Sequence, residues 1–497
     1  MLPEIIQKVL DTADPTLQKT LEDRNLPGLG VGIVYKGELV YAGGVGQANI
    51  AQNVAVTPET VFRIASVSKT FAAVGLMQLW ERGKFDLHDP INDYLRDYKV
   101  THGHRHAPPI TFHHLLTHTA GLGEFTRLTN YLRPQAHFNV VNPHKPVPPL
   151  WKLYGRRLSA ECLPGEKWCY ANNGFATVGQ LVADISGQPF PDYIRQHILE
   201  PLAMTRSDFW RSDRVRDALA IGYNYKKKKE TFKPVIDLEQ VTTAAGSMYS
   251  TVADMGRYMA SLMGNGPAIL KLETLDMMFT PQFQLDERLQ GMGYGFKVDQ
   301  MGDHRVVSHD GLWLGFISSM FIAPDDELGV IALTNTANSI AISLARSFLQ
   351  RMLGEGRALK KRPSPDSLHD TPELWPALVG HYGPKPGFNS NFRLWTSYGG
   401  ELEVYEAENE LRIRALKGSL KEGKTLNRAE ADDPLSFTVG GRQIIFKRNE
   451  AGEPDRLLIG LNEFVKRPYT RSIRLRLKLL PIPLVLILAA ILWLILR

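Results

Sequence analysis

Cysteine is almost absent from this chain, with Cys162 and Cys169 the only two among 497 residues. Two cysteines exclude a disulfide scaffold at this size, and free thiols suit a reducing compartment, although the short spacing leaves one bridge conceivable. The N-terminus lacks a sustained apolar run, because acidic residues begin at Glu4. Its composition therefore argues against a secretory signal or a mitochondrial presequence.

Most of the chain also lacks an excess of positive over negative charge. The formal net charge is +6, but five basic residues beyond position 470 supply all but one of these charges: Arg471, Arg474, Arg476, Lys478 and Arg497. The remainder is almost neutral, so we expect no nucleic-acid partner despite a pI near 9.0. A Gly-x-Ser-x-Gly elbow is missing too, which leaves an α/β-hydrolase without its nucleophile.

Long apolar runs are missing until the C-terminus, where Leu479–Leu496 is an uncharged stretch of 18 residues. Such a run makes about 27 Å of helix, enough to span a bilayer, and it has no polar face. Basic residues precede it. The sequence therefore predicts residues 471–497 as a basic flank and transmembrane tail, a single-pass membrane anchor with the catalytic part in the cytoplasm.

The rest of the chain divides by composition into two folded parts. Residues 1–355 mix helical and strand-like patterns, and 356–372 are polar, basic and proline-bearing, as in a linker. Residues 373–470 consist of short alternating runs separated by turn residues, which predicts a small all-β barrel or sandwich. These runs include 392–395, 402–405, 411–414, 435–439 and 443–446.

The most informative stretch is the only Ser-x-x-Lys pattern, Ser66 to Lys69. A strand-like run precedes it, and an apolar helical face follows through Val67, Phe71 and Leu79, so Ser66 is expected at a helix start. A spacing of three residues puts Lys69 one turn above Ser66 on the same face. The helix start and burial disfavour an ammonium, so the amine can take the hydroxyl proton. The alternative is that Ser66 is only a helix cap.

Histidines cluster at positions 102–118, and His114 and His118 stand four residues apart, as in some metal sites. No acid or cysteine converges on them in the sequence. We therefore expect neither a metal nor an organic cofactor.

Three pieces occur in a familiar order: Ser66-x-x-Lys69, then Tyr170-Ala171-Asn172, then His309-Asp310-Gly311. With Leu115–Leu122 and Pro164–Glu166, this order resembles the serine β-lactamase and penicillin-binding-protein superfamily. The resemblance is nearest to its class C β-lactamase-like branch, which includes family VIII carboxylesterases and D-aminopeptidases. It implies an α+β fold of the β-lactamase/transpeptidase type over about residues 20–355, with an antiparallel sheet flanked by helices beside a helical lobe. Residues 373–470 are similar to the lipocalin-like domain that some members carry.

The resemblance also implies roles for individual residues. Ser66 would be the nucleophile, Lys69 its base and Tyr170 the phenol that passes a proton to the leaving group. Asn172 would bind the substrate amide or the lysine. Gly311 would let its strand approach the substrate, and the N–H of Leu312 would join that of Ser66 in an oxyanion hole.

His309 departs from the Lys-Thr-Gly that many members have here. A lysine holds a substrate carboxylate with a permanent charge, whereas a histidine is mostly neutral at pH 7, and Asp310 adds a negative charge. A small ester, amide or peptide substrate therefore fits better than a carboxylate-bearing one.

The sequence thus predicts a membrane-tethered serine hydrolase that works through an acyl-enzyme on Ser66. One alternative is a β-lactamase or D,D-carboxypeptidase with the same chemistry, and another is a catalytically idle scaffold or binding protein at a membrane. The sequence does not give the oligomeric state.

Overall fold

The computed structural model describes residues 2–103, 106–124, 140–143, 145–354, 372–387, 390–430 and 432–479. Its chain forms two compact units, a large unit of residues 1–284 and 290–360 and a small unit of residues 285–289 and 361–497. The division near residue 360 falls inside the predicted linker, most of which lies outside the described residues. The grouping of residues 285–289 with the small unit is not visible in the sequence.

An eight-stranded antiparallel sheet forms the centre of the large unit. Its first strand, Gly28–Tyr35, pairs with the last one, Leu328–Thr334, so both ends of the unit meet in the middle of the sheet. In spatial order the strands are Gly291–Met292, Lys297–Met301, His304–Trp313, Phe316–Ala323, Leu328–Thr334, Gly28–Tyr35, Glu38–Asn49 and Val54–Ala55.

Helices cover both faces of this sheet, which explains why its central strands are apolar at almost every position. On one face, Val31 and Ile33 pack with the helices Glu4–Leu10, Ala13–Arg24 and Ile340–Met352. On the other face, Met320 and Ile331 join a larger core that contains the helices Ser68–Glu81, Asn172–Ser186 and Val252–Leu262. The predicted α+β arrangement of a flanked antiparallel sheet beside a helical part is therefore confirmed.

Shorter elements complete the large unit. The helices are Phe112–Leu116, Leu150–Tyr154, Phe190–Ile194, Asp213–Arg216, Thr243–Gly246 and Leu272–Met278. The strands outside the main sheet are Phe62–Arg63 paired with Tyr249–Ser250, Lys99–His102 with Arg157–Ala160, Val140–Val141 with Glu239–Gln240, and Tyr223–Lys226 with Thr231–Pro234.

The helix Ser68–Glu81 is more central than its sequence suggested. All of its residues from Ser68 to Leu79 are buried, rather than one apolar face. Apolar side chains all round a helix are typical of a position in the middle of a core. We call this element the central helix.

The small unit contains a nine-stranded antiparallel sheet in a near-barrel, as expected of residues 373–470. Its strands are Gly380–Pro384, Leu402–Ala407, Glu410–Ala415, Lys424–Thr425, Asn427–Arg428, Ser436–Val439, Arg442–Arg448, Pro454–Ile459 and Asn462–Arg467, and its helices are Trp375–Leu378, Phe392–Tyr398 and Ile473–Leu479. One predicted strand is wrong, since 392–395 begins a helix. Leu394 and Tyr398 pack one turn apart on the core, and Gly399 ends the helix with a positive φ of 72°.

The predicted transmembrane helix is also wrong. Among the residues that the structure describes, no helix has both the length and the apolar character needed to cross a bilayer. The last described helix, Ile473–Leu479, has seven residues and carries Arg474, Arg476 and Lys478. Residues 480–497, on which most of the prediction rested, lie outside the described residues. The single-pass anchor and the membrane location inferred from it are therefore withdrawn.

Candidate active site

Ser66 lies in a 3₁₀ turn, Ala65–Val67, that leads into the central helix. Its neighbours from Phe62 to Ala65 and from Val67 onward are buried, whereas Ser66 is partly exposed. Ala65 has a φ of +48°, an uncommon conformation for a residue with a Cβ, of a kind that clusters at functional sites. The turn therefore presents one hydroxyl from an otherwise buried segment.

A second serine holds this turn in place. The Ser68 hydroxyl donates to the Ala65 carbonyl oxygen at 2.5 Å and accepts from the Met248 N–H at 3.0 Å. On the other side, the Ile64 N–H donates to the Met248 carbonyl at 3.0 Å. Ser68 is fully buried, so its hydroxyl supports the backbone, while that of Ser66 remains available for chemistry.

Lys69 is completely buried and its amine lies at 2.9 Å from the Ser66 Oγ. The same Nζ donates to the Asn172 Oδ1 at 2.8 Å and to the Ala245 carbonyl oxygen at 2.6 Å. The Ala245 carbonyl can only accept a hydrogen bond, and the Asn172 oxygen likewise. A neutral amine has two N–H groups and one lone pair, so these two acceptors can take its hydrogens while the lone pair faces Ser66.

Asn172 begins the helix Asn172–Ser186 and is held from its other side by Glu124. Its Nδ2 donates to the Glu124 Oε1 at 2.7 Å. The next residue, Asn173, is buried and donates to the carbonyl oxygens of Gly123 and Glu124, both at 3.0 Å. The start of this helix and the segment ending at Glu124 therefore form one hydrogen-bonded wall of the site.

Tyr170 lies against the lysine. Its ring centre is 4.9 Å from the Lys69 Nζ and 6.2 Å from the ring centre of His309. Its other neighbour is His118, whose ring stacks on it at 4.4 Å. The His118 carbonyl accepts from the Cys169 N–H at 2.7 Å. His118 thus positions the tyrosine, a role that sequence reasoning missed although the residue lies within the motif Leu115–Leu122.

The strand His304–Trp313, which we call the site strand, carries His309, Asp310, Gly311 and Leu312. A Cβ on Gly311 would lie 2.2 Å from the Ile64 carbonyl oxygen, so only glycine lets this strand pass so close to the Ser66 turn. Leu312 pairs with Ile317, and its side chain is 65% exposed. The structure therefore brings Ser66, Lys69, Tyr170, Asn172 and His309 together; the orientation of the Leu312 N–H stays a prediction.

His309 is buried, and burial is the main cause that lowers its pKa to about 3; Lys297 and the protonated form of Lys69 act in the same direction. It is therefore neutral at physiological pH, as expected. Its Nδ1 lies 2.9 Å from the Asp310 carbonyl oxygen, which requires the hydrogen on Nδ1 and leaves Nε2 as an acceptor. No described residue makes a hydrogen bond to this Nε2. The position thus offers a lone pair instead of a cation.

This titration predicts a specific acid sensitivity. Because the folded-state pKa is below the unfolded value of about 6.5, the unfolded chain binds a proton that the native chain does not, and stability falls as pH drops from about 6.5 towards 3. At pH 4.5 this costs roughly 2–3 kcal/mol. Urea unfolding at pH 7.5 and at pH 4.5 measures the free energy of unfolding of both proteins. Its decrease between the two pH values should be smaller in His309→Gln than in wild type by this amount. Equal losses in the two proteins would contradict the assignment.

Asp310 is held by Ser319 and Lys297, neither of which belongs to a sequence motif of the site. The Ser319 hydroxyl donates to its Oδ1 at 2.7 Å, and the Lys297 ammonium lies 3.2 Å from its Oδ2. Burial raises the pKa of Asp310, but Lys297 and the Ser319 hydrogen bond outweigh it, and the net shift is downward. The aspartate is thus an anion neutralised by a neighbouring lysine.

Cys162 and Cys169 are both buried and free. A hydrogen bond with Cys162, followed by burial, raises the pKa of Cys169. Cys169 is therefore a thiol at neutral pH, and the two cysteines do not form the conceivable bridge.

Comparison with known proteins matches a family model described as Beta-lactamase to residues 13–353. The chain is 24% identical over 323 residues to the "Putative penicillin-binding protein PbpX" of Bacillus subtilis, covering 65% of this chain and 74% of that protein. It is also 24% identical over 405 residues to the mouse "Serine beta-lactamase-like protein LACTB, mitochondrial", with 64% and 73% covered.

Among solved structures, the octameric penicillin-binding protein homologue from Pyrococcus abyssi superposes with a TM-score of 0.60 at 23% identity. The match covers 93% of this chain and all of that one, and at this identity it shows a shared fold only. The family match, in contrast, spans most of the large unit and includes every residue of the site. This chain is therefore a member of the beta-lactamase family of serine hydrolases.

Proposed function

We propose that this protein hydrolyses a small ester, amide or peptide through an acyl-enzyme on Ser66. The observation that carries the proposal is the placement of the Lys69 amine, 2.9 Å from the Ser66 oxygen with two acceptors on its other hydrogens. Neutral Lys69 takes the proton as Ser66 Oγ attacks the substrate carbonyl. The new oxyanion lies between the N–H groups of Ser66 and Leu312.

Collapse of this intermediate breaks the bond to the leaving group, which needs a proton. Tyr170, which contacts Lys69, donates this proton. Lys69 then passes the proton that it took from Ser66 to Tyr170, which restores the tyrosine hydroxyl. Water then attacks the acyl carbonyl while Lys69 takes its proton, the bond to Ser66 breaks, Ser66 Oγ recovers a proton from Lys69, and the acid is released. Asn172 holds the lysine during these steps, and Gly311 keeps the site strand near the reacting carbonyl.

The charge states of His309 and Asp310 indicate which class of substrate the site accepts. Neutral His309 offers a lone pair at Nε2, which accepts from an N–H or O–H but repels a carboxylate. The charge of Asp310 acts in the same direction, although Lys297 offsets it. These groups support an uncharged substrate, or one with a hydrogen-bond donor at this end.

A second candidate keeps the chemistry but makes the protein a β-lactamase or D,D-carboxypeptidase. It is favoured by the similarity to proteins named as penicillin-binding. A catalytically idle scaffold is a third candidate, against which the assembled site argues.

The test is labelling of the full-length protein with a fluorophosphonate, followed by peptide mass spectrometry. We expect one adduct, on Ser66, whereas Ser68 two positions later stays unmodified because it is buried and hydrogen-bonded. The variant Ser66→Ala should not react. Absence of labelling in wild type, or equal labelling of the variant, would contradict the proposal and support the idle scaffold.

Chromogenic substrates then separate the two enzymatic candidates. We expect p-nitrophenyl esters or D-amino-acid p-nitroanilides to be hydrolysed faster than nitrocefin. Rapid nitrocefin turnover, or stable labelling by a fluorescent penicillin, would instead favour the β-lactamase or carboxypeptidase.

A further inference from the structure

We propose that Glu124 is a positioning residue that fixes the orientation of the Asn172 amide and thereby keeps the Lys69 lone pair directed at Ser66. The inference rests on the proposed function, since it concerns how the same base is prepared. Glu124 follows the motif Leu115–Leu122 by two residues, and the sequence alone gave it no role.

The orientation of the Asn172 amide decides which of its two ends faces the lysine. The oxygen and nitrogen of an asparagine amide have nearly the same shape, so hydrogen-bond partners decide its orientation. An ionised carboxylate only accepts hydrogen bonds. The 2.7 Å contact with the Glu124 Oε1 therefore requires the Asn172 Nδ2 on that side and places Oδ1 at 2.8 Å from the Lys69 Nζ.

The orientation of the Asn172 amide also decides which hydrogen bonds the Lys69 amine can make. With Oδ1 towards it, Lys69 must use one N–H for Asn172, and the Ala245 carbonyl takes another at 2.6 Å. If the amide turned over, its Nδ2 would face Lys69 and could donate to the nitrogen lone pair. That hydrogen bond would occupy the lone pair that must accept the Ser66 proton. The carboxylate thus acts on the base through one intervening side chain.

Asn173 supports the segment that ends at Glu124. Asn173 binds the carbonyl oxygens of Gly123 and Glu124 at 3.0 Å each, and Asn173 is itself buried and accepts from the Tyr154 hydroxyl at 3.0 Å. These bonds fix the backbone of Glu124 independently of its carboxylate. Removal of the carboxylate alone should therefore change the amide while the wall remains in place.

A double-mutant cycle in the full-length protein tests this role. The variants are Glu124→Ala, Asn172→Ala and the pair together, and the readout is kcat and KM for a p-nitrophenyl ester with the fluorophosphonate labelling rate beside it. Glu124→Ala removes a hydrogen bond between a charged group and Asn172, the residue that binds the base. We expect this loss to lower kcat roughly 10- to 100-fold. KM should stay unchanged if Glu124 acts only through Asn172.

The double variant decides whether Glu124 acts through Asn172. If it does, adding Glu124→Ala to Asn172→Ala should cause no further loss. Glu124→Gln, which keeps an acceptor oxygen, should recover most of kcat, and Glu59→Ala, an exposed glutamate paired with Arg206, should behave as wild type. Glu124→Met provides a bulkier replacement without an acceptor if the alanine variant does not fold.

The outcomes separate this inference from the proposed function. Unchanged kcat in Glu124→Ala and Glu124→Met, or losses that multiply in the double variant, would overturn the role of Glu124 while Ser66 labelling still supports the hydrolase. Wild-type protein without labelling or turnover would remove both.

Discussion

Replacement of Lys69 by methionine is expected to abolish acylation of Ser66, with the labelling rate reduced roughly 10³-fold or more. Methionine fills nearly the same volume, but its thioether sulfur is far too weak a base to take the Ser66 proton. The loss should approach that of Ser66→Ala, because a nucleophile and its base work as a unit and their effects do not add. The measurement is the second-order rate of fluorophosphonate labelling for wild type and both single variants.

Stability is the control for this variant. Lys69→Met leaves the buried Ala245 carbonyl and the partly buried Asn172 oxygen without this donor, which costs about 1–3 kcal/mol for a fully buried group, but it also removes the cost of burying an amine. We therefore expect a folded protein with a small change in its unfolding midpoint.

Lys99→Met is the comparison at an exposed site, since the Lys99 amine likewise donates to two oxygens, the backbone carbonyls of Asn92 and Leu95. That variant should label at the wild-type rate. Labelling of Lys69→Met within tenfold of wild type would show that another group is the base.

The sequence predicted this pair well because its geometry is local. Ser66 and Lys69 share one short helical segment, so their distance follows from helix geometry without knowledge of the fold. Tyr170 and His309 lie 104 and 243 positions from Ser66, and only the resemblance of three ordered motifs brought them to the same site. The long central strands, such as Gly28–Tyr35 and Leu328–Thr334, are also visible in the sequence as apolar runs, whereas two-residue strands such as Gly291–Met292 are not.

The residue roles that the sequence does not predict depend on single contacts between distant segments. Glu124 and Lys297 belong to no sequence pattern, and His118 belongs to a motif that does not reveal its contact with Tyr170; each acquires its role only through the neighbour that the fold provides. The helix beginning at Phe392 was read as a strand because four residues are too few to distinguish the two periodicities.

Substitution of Gly311 by alanine should lower the labelling rate roughly 10²- to 10³-fold. The added Cβ would lie 2.2 Å from the Ile64 carbonyl oxygen and 2.3 Å from the Ser318 Oγ. These two atoms already share a hydrogen bond of 2.6 Å, so neither can move away alone. The site strand or the Ser66 turn must shift instead, and a shift of about 1 Å misplaces the oxyanion donors.

Two further variants show whether this steric contact is the cause. Ser318→Ala in the Gly311→Ala background removes one of the two clashes but not the one with the Ile64 carbonyl, so it should restore activity only in part. Gly174→Ala, in the helix that begins at Asn172, adds a Cβ whose nearest neighbours are 4.0 Å away and should keep wild-type activity with equal or higher stability. If Gly311→Ala labelled like Gly174→Ala, the close approach of the site strand to Ser66 would not be needed for the reaction, and the oxyanion hole would have to be sought elsewhere than at Leu312.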